Sequence, residues 1–124
     1  MTDSIDRFAR DHASQLRRKL RRQARRTAKH PDEEAIHDLR VSIRRLSECL
    51  REFGPFLPPH KTKRTLKRLH KLMDLAAEIR NRDIAIELAD DVAAGLVVIL
   101  QQEREQAKRK LHRALIRWRR RDSS

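Results

Sequence analysis

Apolar residues recur along this chain at alternating steps of three and four, the spacing that lines one face of an α-helix. The clearest run is Ile36, Leu39, Ile43, Leu46, Leu50 and Phe53. It predicts a helix from about 33 to 53, capped by Asp32 and carrying Glu33 and Glu34 in its first turn, where negative charge complements the helix dipole. Gly54-Pro55 and Pro58-Pro59 cannot continue it. A weaker stripe of Ile5, Phe8, Ala13, Leu16, Leu20 and Ala24 predicts a first helix from about Ser4 to Lys29. A third, from about His60, directs Leu66, Leu69, Met73 and Ala76 inward. Residues 80–92 keep helical character through Ile84 and Leu88, either as its continuation or after a kink near Asn81. From about Gly95 a last helix uses Leu96, Leu100, Ala107, Leu111, Leu115 and Trp118, then frays through Arg119, Arg120 and Arg121 into a polar tail.

Four helices with short connections predict an all-α fold, an antiparallel four-helix bundle. The chain of 124 residues is read as one domain, 1–124, with its core at about 5–118 and a tail at 119–124. The aromatic residues Phe8, Phe53 and Trp118 are assigned to that core. So is the apolar stretch 92–100, about half the ~20 residues needed to span a bilayer. Neither a signal peptide nor a membrane role is expected. Cys49 stands alone, which excludes a disulfide framework or zinc cluster and fits a reducing cytoplasm.

Charge changes the picture from structure to function. The chain carries 31 basic and 18 acidic side chains, net +13, an imbalance that calls for a polyanionic partner. Residues 1–30, 60–80 and 96–124 are each strongly basic, whereas 32–53 is net −2 and 81–95 net −3. Yet the most ordered basic stripe lies on the acidic second helix. His37, Arg40 and Arg44 share one face with Arg45 at its edge, spaced roughly 5 to 6 Å along the axis. Arginine grips oxyanions through a planar fork of donors and stays charged at any cellular pH. The competing reading pairs Arg40 and Arg44 with carboxylates such as Asp38 or Glu48. On the first helix Arg18, Arg21, Arg25 and Lys29 form a further stripe flanked by Arg17 and Arg22, and on the third Lys63, Lys67 and Lys71 form a ladder.

The segment IHDLRVSIRRL, residues 36–46, resembles the signature of the CHAD domain, the conserved histidine α-helical domain. There a His-Asp-x-Arg-Val run precedes paired arginines. Downstream, EIRNRDIAIEL is similar to that family's second motif and aligns Arg80, Asn81, Asp83 and Ile84. The resemblance spans roughly 5–118 and departs from the pattern at Ser47, where a basic residue is usual, and at Ala77, where glycine is. It implies a helical module that binds inorganic polyphosphate, in the cytoplasm and in association with polyphosphate granules. Carried across by position, His37, Arg40, Arg44, Arg45 and Arg80 are implied ligands; Arg18, Arg21, Arg22, Arg25, Lys63 and Lys67 join them as basic candidates on the neighbouring helices. Asp83 is better suited to orienting an arginine. The family commonly holds two bundles that line one groove, so this chain corresponds to one half. A homodimer is the expected source of the other.

Nonspecific nucleic-acid binding is the alternative, since a phosphate backbone attracts the same side chains. It is disfavoured by four aromatic residues in all, too few for base stacking once core positions are filled. No catalysis, cofactor or metal site is expected. Gly54 and Gly95 are isolated, so no phosphate loop exists, and no second cluster of His and Asp supplies the remaining ligands for a metal at the His37-Asp38 pair. The ExExK pattern of the triphosphate-tunnel (CYTH) domains sometimes fused to this family is absent too, because Glu103 and Glu105 are followed by Ala107.

Overall fold

The computed structural model describes residues 2–89 and 94–123. Four helices follow in order: α1 (Thr2–Lys29), α2 (Glu33–Glu52), α3 (Pro59–Ala89) and α4 (Ala94–Ser123), with a single 3-10 turn at Gly54–Phe56 between α2 and α3. Asp32 caps α2 as its position demands, its carboxylate accepting from the Ala35 amide at 2.8 Å. The other end closes when the Phe53 amide donates to the Cys49 carbonyl at 2.9 Å. Pro59 then opens α3, where its missing N–H costs nothing. α3 runs unbroken through Asn81 to Ala89, so the segment after Arg80 is a continuation and not a second helix.

α1 pairs most closely with α2 and α3 with α4, while α2 meets α3 and α1 meets α4. This is the closed ring of an antiparallel four-helix bundle. Its centre is filled by Leu20 of α1, Leu39, Ile43, Leu46 and Leu50 of α2, Leu69 and Ile79 of α3, and Leu111 and Leu115 of α4, all fully buried. Each such side chain contributes about 1.5–3 kcal/mol through removal from water. Trp118 joins them, while Phe53, Leu66 and Met73 pack half-buried at the margin.

The helices are staggered, and the stagger overturns several core assignments. Arg80 pairs with Glu33 at the start of α2 and Asp83 still lines the cleft beside it, so the last six residues of α3 run on about 9 Å past that level. The adjoining part of α4 projects with them. Ile84 and Leu88 on α3, and Leu96, Val98 and Ile99 on α4, therefore have no α1 or α2 to cover them; Leu88 is 72% exposed and Leu96 46%. The stretch 92–100 is thus not core over 95–99, and Val92 and Ala93 lie outside the described residues. At the opposite end α4, which meets the last turn of α1 where His112 bonds the Ala28 carbonyl, extends along α1 as far as Arg21, paired with Asp122. Ile5 and Phe8 sit beyond that reach, and Phe8 is 59% exposed, its ring stacked on His12 and edge-on to Phe53. Ala9 takes the inward position instead. Nor does α4 fray at Arg119, since it stays helical to Ser123.

Candidate functional site

Where α2 begins, it meets α3 in a cleft of about 450 Å³ lined by Glu33, Glu34, Ile36, His37 and Arg40 from α2 and by Arg80 and Asp83 from α3. Helical periodicity explains the α2 contribution. Ile36 and Leu39 turn into the core, which leaves His37 and Arg40 on the adjoining face, one turn apart. The antiparallel run of α3 brings Arg80 to the same level. Two segments about thirty residues apart in sequence, 36–46 and 78–88, thus converge on one site.

Every carboxylate in this cleft already has a cationic partner. Glu33 accepts from Arg80 Nη1 at 2.7 Å, Asp83 is paired with Arg104 of α4, and Glu34 lies 3.8 Å from Arg26 of α1. Arg40 has none among the described residues, and its Nε is buried without a hydrogen-bond acceptor. A buried donor left without an acceptor costs about 1–3 kcal/mol. Asp38, the carboxylate that sequence proximity offers to Arg40, faces α1 and accepts from Arg26 Nη1 at 2.7 Å. That hydrogen bond holds the Arg26 guanidinium above its ordinary pKa; desolvation opposes it, and the charges of Asp38, Glu34 and Asp32 add smaller support. The arrangement leaves the imidazole of His37 and the fork of Arg40 available to an oxyanion, with Arg80 held beside them by an exposed pair that a ligand can displace.

The other sequence-predicted residues lie outside the cleft. Arg44 continues the stripe one turn further along α2, exposed, and Arg45 points to a neighbouring exposed direction. Arg18, Arg22 and Arg25 occupy the solvent face of α1. Arg21 departs from their stripe, turning to α4 to donate to Asp122 at 2.6 Å, which largely answers its charge. Lys63 and Lys67 are exposed on the first turns of α3, roughly 20–25 Å along the helix from Arg80. The structure thus gathers His37, Arg40 and Arg80 and leaves the remaining cations as a surrounding field.

The second motif acts as a junction between helices. Arg80 reaches α2, while Arg82 pairs with Glu103 at 2.8 Å and Asp83 with Arg104, both on α4. Glu33 and Arg104 belong to the site through these pairs, and sequence reading missed both. Their partners are fixed by how α3 aligns with α2 and α4, for which no local spacing is a signal. Cys49 is buried on α2, and burial pushes its thiol pKa up; Glu52 adds to that and Arg17 opposes it. Among the described residues no group of three His, Cys, Asp or Glu side chains is placed to hold a metal ion, and no helix is long and apolar enough to cross a membrane.

Comparison with curated proteins and with solved structures gives no match. The family model of the CHAD domain matches residues 11–122, which include both motifs, α2, α3 and most of α1 and α4. With the two motifs meeting in one cleft of a four-helix bundle and the match covering most of its length, the chain belongs to the CHAD domain family.

Proposed function

We propose that this chain binds inorganic polyphosphate, with the α2–α3 cleft as the anchoring site. The observation that carries the reading is Arg40: a guanidinium with a buried, unbonded Nε, in a cleft whose carboxylates are all paired with other cations. A phosphate group supplies the missing acceptor, and charge-assisted hydrogen bonds of this sort are worth roughly twice neutral ones. His37 and Arg80 add donors on either side. The exposed Arg44, Arg45, Arg18, Arg22, Arg25, Lys63 and Lys67 supply longer-range attraction for a chain of phosphates, and Arg21 does so less, being paired. Binding without catalysis, in the cytoplasm and at polyphosphate granules, is the same proposal extended.

The test is calorimetric titration with polyphosphate of the native chain and of the Arg40→Ala, Arg44→Ala double variant. Loss of most of the affinity with helicity intact is expected, and unchanged affinity would move the site away from α2. RNA and duplex DNA at matched phosphate concentration serve as competitors; displacement as effective as that by polyphosphate would favour a general nucleic-acid binder. We further propose that a second copy supplies a facing basic surface, since identical surfaces meet naturally about a two-fold axis. Light scattering that finds only monomer at micromolar concentration, with and without polyphosphate, would rule this out.

A further inference from the structure

At the other end of the bundle, away from the His37 cleft, α1 and the start of α3 enclose a second cleft, of about 220 Å³. Its walls are Arg10, Ser14 and Arg17 from α1 and Lys61 and Thr62 from α3; its floor is Ala13, Leu50, Leu57 and Pro58. Arg10, Ser14 and Arg17 follow at steps of four and three, so they stand on one stripe of α1. Arg21, the next member of that stripe, is where α4 covers α1 through Asp122, and the positions before it are left open.

Three properties distinguish this cleft from the general basicity of the surface. It is lined by three cations and two hydroxyls and by no carboxylate, whereas the His37 cleft contains three carboxylates. Its apolar floor includes the buried Leu50 and Leu57, which keeps water from screening charges placed above it. And Arg17 repeats the signature of Arg40. Its Nε is buried with no hydrogen-bond acceptor. Arg21 also buries an Nε without a bond, but its guanidinium pairs with Asp122 through Nη2, and the buried Nε of Arg82 lies 2.8 Å from Glu103; Arg17 and Arg40 have no such carboxylate partner among the described residues. Arg10 uses its own Nε on the Asp6 carbonyl at 3.4 Å, which leaves its terminal nitrogens free.

From these features we infer that the Arg10–Arg17–Lys61 cleft is a second oxyanion site, separate from the α2–α3 cleft, which takes a single phosphate group. Arg17 supplies the partly desolvated fork, Arg10 and Lys61 close over it from two helices, and the Ser14 hydroxyl donates from the rim. The group is either free orthophosphate or the terminal phosphate of a longer chain. The volume suits one tetrahedral group better than an extended polymer. The inference does not depend on what the α2–α3 cleft binds.

The experiment is amide-resolved NMR titration of the full chain with orthophosphate, and separately with tripolyphosphate, against sodium chloride at equal ionic strength. Saturable shifts at Ser14 and Thr62 that chloride does not reproduce are expected. In the Arg17→Gln, Lys61→Gln variant these weaken by about tenfold or more, while any response at His37 and Arg40 persists. The Lys61→Gln single variant changes an exposed side chain and guards against loss of fold in the double variant; it is expected to weaken the same shifts by a smaller factor. Shifts with tripolyphosphate alone assign the site to chain ends, and shifts with both assign it to any phosphate group. Responses that chloride matches, or that survive the double substitution in a folded chain, overturn the inference. Failure of the Arg40→Ala, Arg44→Ala test would leave it untouched.

Discussion

Asp83 pairs with Arg104 of α4 and not with Arg80, its neighbour three residues back on the same helix. The two members of the second motif thus face opposite helices, Arg80 toward the α2–α3 cleft and Asp83 toward the α3–α4 contact, although Asp83 also lines the cleft.

Removing Arg104 therefore acts on a site it does not touch. In Arg104→Ala the Asp83 carboxylate is released beside His37 and Arg40, where it opposes an incoming anion, so polyphosphate affinity is expected to fall about threefold to tenfold. The pair is mostly buried, and its loss should also cost about 1–3 kcal/mol of stability. Adding Asp83→Asn should restore affinity without restoring stability. A double-mutant cycle read by titration and by chemical denaturation separates the two effects.

Glu33 occupies Arg80 in the free protein. Glu33→Gln is expected to raise polyphosphate affinity by about twofold to fivefold, because the ligand no longer competes with a carboxylate. The pair is exposed, so the accompanying stability change should stay within about 1 kcal/mol. Calorimetry on the native chain and the variant checks both the sign and the size.

Asp32 is the cap on which the α2 start depends. Asp32→Ala removes the acceptor for the Ala35 amide and should lower stability by about 0.5–2 kcal/mol, read from the denaturation midpoint. Asp32→Asn should recover most of it.

The stagger of the helices predicts unequal costs for apolar truncation. Leu39→Ala, at a fully buried position, should cost about 2–5 kcal/mol. Leu88→Ala should cost less than about 1 kcal/mol, since that residue is largely in water already, and Leu96→Ala, at a half-exposed position, about 1 kcal/mol. Comparable losses at all three would mean that the projecting ends of α3 and α4 are covered in solution.

Cys49 gives a pH signature. Its raised pKa disfavours the thiolate in the folded state, so alkylation should be slower than for a free thiol and should quicken only as pH climbs past the ordinary thiol range of about 8.5. The same shift means that the folded chain holds a proton the unfolded chain releases. Stability should therefore fall as pH rises above that range, an effect that Cys49→Ala abolishes.

The chain's own residue pattern determined the four helices, the cap at Asp32, the break at Gly54-Pro55 and the inward face of α2, because these follow from local spacing and backbone chemistry. It also placed His37, Arg40 and Arg44 on one stripe, and both family motifs could be read from it directly. Tertiary structure decided which cations remain open. Asp38 stands two residues from Arg40 in sequence but turns to Arg26, and Arg21 leaves its stripe for Asp122, because ion pairs form between faces that only packing brings together. The stagger was likewise invisible in the periodicity. Ile84, Leu88 and Leu96 keep the helical spacing of core residues, yet a helix face is buried only where a neighbour lies against it, and α2 begins level with Arg80.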